Sequence, residues 1–128
     1  MQQSAQVLAA LGGLCIAAKV GADWFERVDV DNLNIGHRTQ CACAQFTGDF
    51  HQGNRGAGRF GLTLKQAEEH GMYVPRYDDS PEAKAAQLNR YAELTRAWKA
   101  LVNELRYQRL MSYTPATPPL CEPLPLAA

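Results

Sequence analysis

The sequence predicts an all-α fold: a small single-domain helical bundle of about four helices, with a glycine-rich loop and an extended Pro-rich C-terminal tail. Three observations predict it. Apolar residues recur at three- and four-residue spacing in two long stretches, 4–19 and 81–111. Helix start and stop residues bracket those stretches and a third, 63–71. The stretch 28–35 alternates apolar and polar residues, yet no second convincing strand exists to pair with it.

The first helix is expected over 4–19. Its apolar face is read as Val7, Leu8, Leu11, Leu14, Cys15 and Ala18. Gly12 and Gly13 each cost about 1 kcal/mol relative to alanine inside a helix, so they mark either a kink or a close helix contact. Gly21 is the stop, and Asp23 is placed to cap a short turn carrying Trp24 and Phe25. The alternating stretch, with Val28, Val30, Leu33 and Ile35, is read as a connector that plugs Leu33 and Ile35 into the core. Residues 39–46 read as a short helix capped by Thr39 and ended at Thr47-Gly48. A glycine-rich loop follows, 51–61. Thr63 and Gln66 form a capping box for the next short helix, closed by Gly71. Ser80-Pro81-Glu82 opens the longest helix, running to about Met111, with the apolar line Leu88, Tyr91, Leu94, Trp98, Leu101, Val102 and Leu105. Two parts result: a helical domain, 1–111, and a Pro-rich tail, 112–128, that cannot continue a helix.

Composition narrows the function classes. The chain has 128 residues, and a chain of that size buries roughly two thirds of its unfolded surface, so neither metal nor disulfide is needed for folding. Thirteen basic side chains balance thirteen acidic ones. That balance argues against a general nucleic-acid binder and against a polybasic membrane patch. The apolar run 7–21 has no basic segment before it and is shorter than the roughly 18–20 residues of a membrane span, so it reads as a buried helix. Reduced thiols in a cytosol are expected for Cys15, Cys41, Cys43 and Cys121.

The densest cluster of chemistry-bearing residues is "QCACAQFTGDF", 40–50, flanked by His37 and His51. Cys41, Cys43, His37 and His51 supply four donors that zinc accepts, but Cys-x-Cys departs from the usual Cys-x₂₋₄-Cys spacing. On a helix, positions 41 and 43 lie about 200° apart around the axis. A reactive thiol would need a positioned histidine, and nothing local assigns one. Core packing is therefore the favoured reading, with metal and reactive thiol as alternatives, and no metal or other cofactor is expected. "GAGRFG", 56–61, matches G-x-G-x-x-G but follows no hydrophobic strand, which removes the phosphate-binding context. Arg55, Arg59 and the neighbouring amides could still hold an anion. Arg90, Arg96, Lys99, Arg106 and Arg109 interleave with Glu82, Glu93 and Glu104, so they read as a solvated helix face. The acidic pairs Asp29/Asp31, Glu68/Glu69 and Asp78/Asp79 read the same way. No catalytic residue is assigned.

The order "DWFERVDVDNLNI", "CACAQFTGDF", "AEEHGMYV", "YAELTRAWKALVNELR" resembles a group of small proteins encoded by actinobacteriophages and their prophages. The positions that carry the resemblance are Trp24, Leu33, Cys41, Gln45, Phe46, Gly48, Asp49, Phe50, Gly71, Met72, Leu94, Trp98 and Arg106, and it covers about residues 5–109. Cys43 departs from that pattern, which has an aliphatic residue there. The group carries no assigned enzymatic activity, so the resemblance implies context rather than chemistry. Trp24, Cys41, Gln45, Gly48, Phe50 and Trp98 are then expected to form a structural motif. In it Cys41 packs inward, and the Gln45 amide bonds backbone of the connector or of the glycine loop.

The function expected is that of a phage-encoded accessory protein in the bacterial host cytoplasm. It would bind a host or viral protein and inhibit a host or defence protein without catalysis. Expected partner-binding residues are Arg55, Arg59 and Phe60 in the glycine-rich loop, and Leu120, Leu124 and Leu126 in the tail. The alternatives are a minor virion component with an extended tail and a small metal- or ligand-binding protein.

Overall fold

The structure is a computed structural model that describes residues 3–37, 40–47 and 61–112. Among these residues there are four α-helices, α1 (Ala5–Val20), α2 (Ala44–Thr47), α3 (Leu64–Glu69) and α4 (Pro81–Ser112), one 3-10 turn (Trp24–Arg27), and no strand. The all-α expectation holds. The glycine-rich loop before Gly61 and the Pro-rich tail lie outside the described residues.

Local chemistry sets the helix ends. The Ser4 hydroxyl accepts from the Val7 amide at 3.2 Å, and Gly21, at φ 117°, closes α1. Thr63 and Gln66 make both bonds of the expected capping box, at 3.1 and 2.9 Å. Past α3 the Met72 amide donates to Ala67 O at 2.8 Å and the Gly71 amide to Glu68 O at 3.2 Å, with Gly71 at φ 69°. That pair of bonds is a Schellman closure, which needs a residue tolerant of the left-handed region at Gly71. Ser80 caps α4 by accepting from the Ala83 amide, and Asp78 in turn accepts from the Ser80 amide.

Helix α4, about 48 Å long at 1.5 Å per residue, is the spine on which the other elements lie. Gln3 meets Arg90, Gly12 meets Trp98 and Gly13 meets Leu101, so α1 and α4 run parallel. A Cβ added at Gly12 would lie 2.2 Å from His70 O and 2.3 Å from the Trp98 ring; one at Gly13 would lie 3.0 Å from both Leu101 and Trp24. The two glycines are thus the seat of two tryptophans, which meet edge to face with centroids 6.0 Å apart. Residues 28–37 return antiparallel along the other flank of α4. Val28 lies by Arg106, Ile35 by Thr95 and Gly36 by Tyr91, and Leu33 and Ile35 are buried as expected.

Four expectations are corrected. Val7, Leu11 and Leu14 are exposed, at 47, 38 and 70%; α1 instead buries Ala5, Leu8, Ala9, Gly12, Gly13 and Ile16. Leu88 is 68% exposed and leaves the apolar line of α4. Arg90 is buried and Arg106 half-buried, so two of the five cations read as a solvated face turn inward. The helix expected over 39–46 is shorter and later, Ala44–Thr47, with 40–43 in turns.

Candidate functional site

The region around Cys41 is built by side chains that serve backbone. The Cys41 thiol accepts from the Ala44 amide at 3.3 Å, at the start of α2, and Cys41 and Cys43 are both buried. Gln45 accepts from the Asp29 amide at 2.8 Å through Oε1. Its Nε2 donates to Asp29 O at 3.1 Å and to Gln40 O at 3.3 Å. The Gln45 amide therefore bonds the connector, one of the two segments expected for it. The Arg27 guanidinium lies 5.4 Å over the Phe46 ring and donates to Val20 O at 2.8 Å, tying the end of α1 to α2. Among the described residues no three His, Cys, Asp or Glu side chains are grouped so as to hold a metal ion.

Trp24 and Trp98 sit in the core, and the Trp98 indole donates to Gly71 O at 2.8 Å. Gly48, Phe50, His51 and all six residues expected to bind a partner (Arg55, Arg59, Phe60, Leu120, Leu124, Leu126) lie outside the described residues. Of the matching positions in the resemblance, Arg106 has a clear task. Its Nε donates to Phe25 O at 3.0 Å and its Nη2 to Val28 O at 2.6 Å, pinning the 3-10 turn and the connector to α4.

Two surface features are new to the structure. A cleft of about 310 Å³ opens between the start of α1, α3 and α4, floored by Leu8, Val74, Pro75 and Leu94. Arg90 borders it, but its guanidinium already serves Gln3 O at 2.5 Å and the Glu93 carboxylate at 3.1 Å. It holds the start of α1 on α4 rather than waiting for a ligand. Nearby, burial pushes the Tyr91 phenol up, opposed by its bond to the Val74 backbone.

The second feature is the outer side of α1. Val7, Leu11, Leu14 and Ala18 follow one another at spacings of four, three and four residues, with Ala10 beside them, and all five are exposed. They lie opposite the buried stripe Leu8–Gly12–Ile16. The only charged side chain on α1 is Lys19, in its last turn. A helix apolar on all sides is normally buried on all sides. At 16 residues, α1 does not reach across a membrane, and no helix among the described residues is long and apolar enough to do so. The exposed aromatic and aliphatic side chains of the last turns of α4, Tyr107, Leu110 and Met111, add to the apolar surface.

Compared with protein-family models, with curated proteins and with solved structures, the chain matches none.

Proposed function

We propose that this chain is a binding protein: a phage-encoded accessory protein that acts on a host or viral protein by occupying its surface, without catalysis. The observation that carries the binding reading is the outer face of α1, where Val7, Leu11 and Leu14 stand exposed on a helix with no charge before Lys19. Contiguous apolar surface of this kind marks interaction sites in soluble proteins. The spacing of the stripe suits a helix or an extended segment laid along it. The phage context is supported by the resemblance alone. Inhibition of a host or defence protein is the form of action that a small, charge-balanced chain suits best.

The test is capture from lysate of the bacterial host by the full chain, then titration of the captured protein, purified, against the full chain and against Leu11→Lys/Leu14→Lys. One stoichiometric partner whose affinity falls at least about tenfold in the variant, a loss of about 1.4 kcal/mol, supports the reading. Absence of any partner for the full chain, together with a fixed copy number in purified particles, overturns it in favour of the virion component.

A further inference from the structure

We propose that the groove between residues 31–37 of the connector and α4 binds an acidic segment of a partner protein, with carboxylates at Arg96 and Lys99 and an apolar side chain at Leu88. This surface is separate from the outer face of α1, since no α1 residue lines the groove. The acidic ligand is a property of the groove itself; only its belonging to a partner protein rests on the binding role proposed above.

The first argument is which cations of α4 are left unbonded. From Arg90 onward the helix carries five. Arg90 serves Gln3 O and the Glu93 carboxylate, Arg106 serves Phe25 O and Val28 O, and Arg109 stands 3.7 Å from Glu26. Arg96 and Lys99 make no hydrogen bond or ion pair among the described residues, and both line this groove of about 640 Å³. The second argument is the chemistry beside them. Asn34 Oδ1 accepts from the Gly36 amide at 3.0 Å, which leaves the Asn34 NH2 to donate. The Thr95 hydroxyl accepts from the Ile35 amide at 3.0 Å, which leaves its own hydrogen to donate. Guanidinium, ammonium, amide and hydroxyl thus all offer donors, and the group they suit is an anionic acceptor. Asp31, on the rim, is the one carboxylate lining the groove and limits how much negative charge it takes. The third argument is layout. Leu88, 68% exposed, and the neighbouring Tyr91 and Ala92 form an apolar end, and Arg96 and Lys99 a cationic end. Leu88 and Lys99 are 11 positions apart, about 16 Å along the helix, which five extended residues span at about 3.3 Å each.

A peptide suits the groove better than other anions do. The amides of Asn34, Ile35, Gly36 and His37 all bond within the chain, so no cradle of backbone N–H groups waits for a free phosphate. Two cations, on a chain whose thirteen bases balance thirteen acids, release few counterions, so nucleic acid gains little here. Neither of those ligands uses the apolar end.

The probe is the peptide acetyl-Leu-Ser-Gly-Ser-Gly-Glu-Glu-amide, used in this and in the reversed order. It is titrated into the isotope-labelled full chain and followed by NMR shifts of backbone and side-chain amides. Expected are saturating shifts at Asn34, Thr95, Arg96 and Lys99, half complete below about 1 mM peptide. Binding should weaken at least about tenfold in Arg96→Gln/Lys99→Gln, and equally when Gln-Gln replaces Glu-Glu in the peptide, a control that leaves the protein unchanged. Asp31→Asn should tighten it by about twofold. No shift at the groove up to about 5 mM of either peptide, equal binding of the Gln-Gln peptide, or binding unchanged in the double variant would each overturn the proposal. Equal shifts with inorganic phosphate would name a bare anion as the ligand, and tighter binding of oligothymidylate would name nucleic acid; either result overturns it too. Leu11→Lys/Leu14→Lys leaves the groove intact and should bind the peptide as wild type does, so the groove and the outer face of α1 stand or fall separately.

Discussion

Gln45 and Asp29 face each other as two strand residues would. The Asp29 amide donates to the Gln45 side chain, and the same side chain donates back to the Asp29 carbonyl. One glutamine replaces the partner strand that the alternating stretch 28–35 lacks. Further along, the Ile35 amide finds the Thr95 hydroxyl at 3.0 Å, another side chain in the role of a neighbouring backbone. The connector can thus run through two turns, Val30–Leu33 and Asn34–His37, and stay half-buried without being part of a sheet.

Gln45→Glu tests that arrangement. The carboxylate still accepts from the Asp29 amide but no longer donates to the two carbonyls at Asp29 and Gln40. Unfolding by urea at neutral pH should show a loss of about 1–3 kcal/mol. Gln45→Ala should fall in the same range, because the Asp29 amide and carbonyl both lose the Gln45 side chain, while Gln40 O keeps the Asn34 amide. A loss below about 0.5 kcal/mol for both, the range of an ordinary surface substitution, would show that the pairing does not hold the connector.

Gly12→Ala gains helix propensity, about 1 kcal/mol, and should still destabilise. The new methyl would meet the His70 carbonyl oxygen and the Trp98 ring at well under contact distance, and neither is the free end of a flexible chain. Overpacking of this kind costs about 1–3 kcal/mol or more. The net result expected is a lower urea midpoint with altered near-ultraviolet circular dichroism from Trp24 and Trp98. Gly13→Ala, whose neighbours lie at 3.0 Å, should be milder.

Arg106→Lys should behave as a loss rather than a conservative change. The guanidinium reaches two carbonyls, Phe25 O and Val28 O, from two different nitrogens, whereas an ammonium is a single point. Hydrogen bonds from a charged donor are worth about 1.5–3 kcal/mol each, so chemical unfolding should report a deficit of about that size. Retention of full stability would mean that lysine serves both carbonyls.

The acid limb of stability should involve Asp78. Hydrogen bonds from the Ser80 side chain and amide hold its carboxyl below the ordinary carboxylate value. A depressed folded value favours the native state above the unfolded-state value, and the benefit is lost as pH falls through the folded one. Wild type should therefore lose stability more steeply below about pH 4 than Asp78→Asn does. Urea midpoints taken between about pH 2 and pH 6 would check it; superimposable curves would remove Asp78 from the account.

The ends of α3 are legible in the sequence because their bonds are local: Thr63, Gln66 and Gly71 carry their partners within a few residues. The ends of α1 and α4 are legible for the same reason. Facing is harder. Helix α1 is apolar on every side, so periodicity does not choose between Leu8–Gly12–Ile16 and Val7–Leu11–Leu14. The choice is made by Gly12 and Gly13, the only positions flat enough to seat two indoles, and the glycine pair was the available signal. Arg90 reads as a surface cation because its charge outweighs its position. It precedes Leu94 and Trp98 at spacings of four, which places it on the buried stripe of α4. The 3-10 turn and α2 are too short for periodicity to register. The apolar outer face of α1 reads as core in the sequence, since nothing local distinguishes an exposed apolar face from a buried one.

The parallel arrangement of α1 and α4 bears on how the chain is made. The Gln3–Arg90 and Phe25–Arg106 contacts join residues 87 and 81 positions apart. When α1 has just been made, His70, Trp98 and Leu101, which seat against its glycines beside Trp24, have not been synthesised. No fragment ending before Trp98 holds the core, so native packing waits until Trp98 has been synthesised. Until then a nascent chain presents a helix that is apolar up to Lys19, with neither of its faces covered by α4.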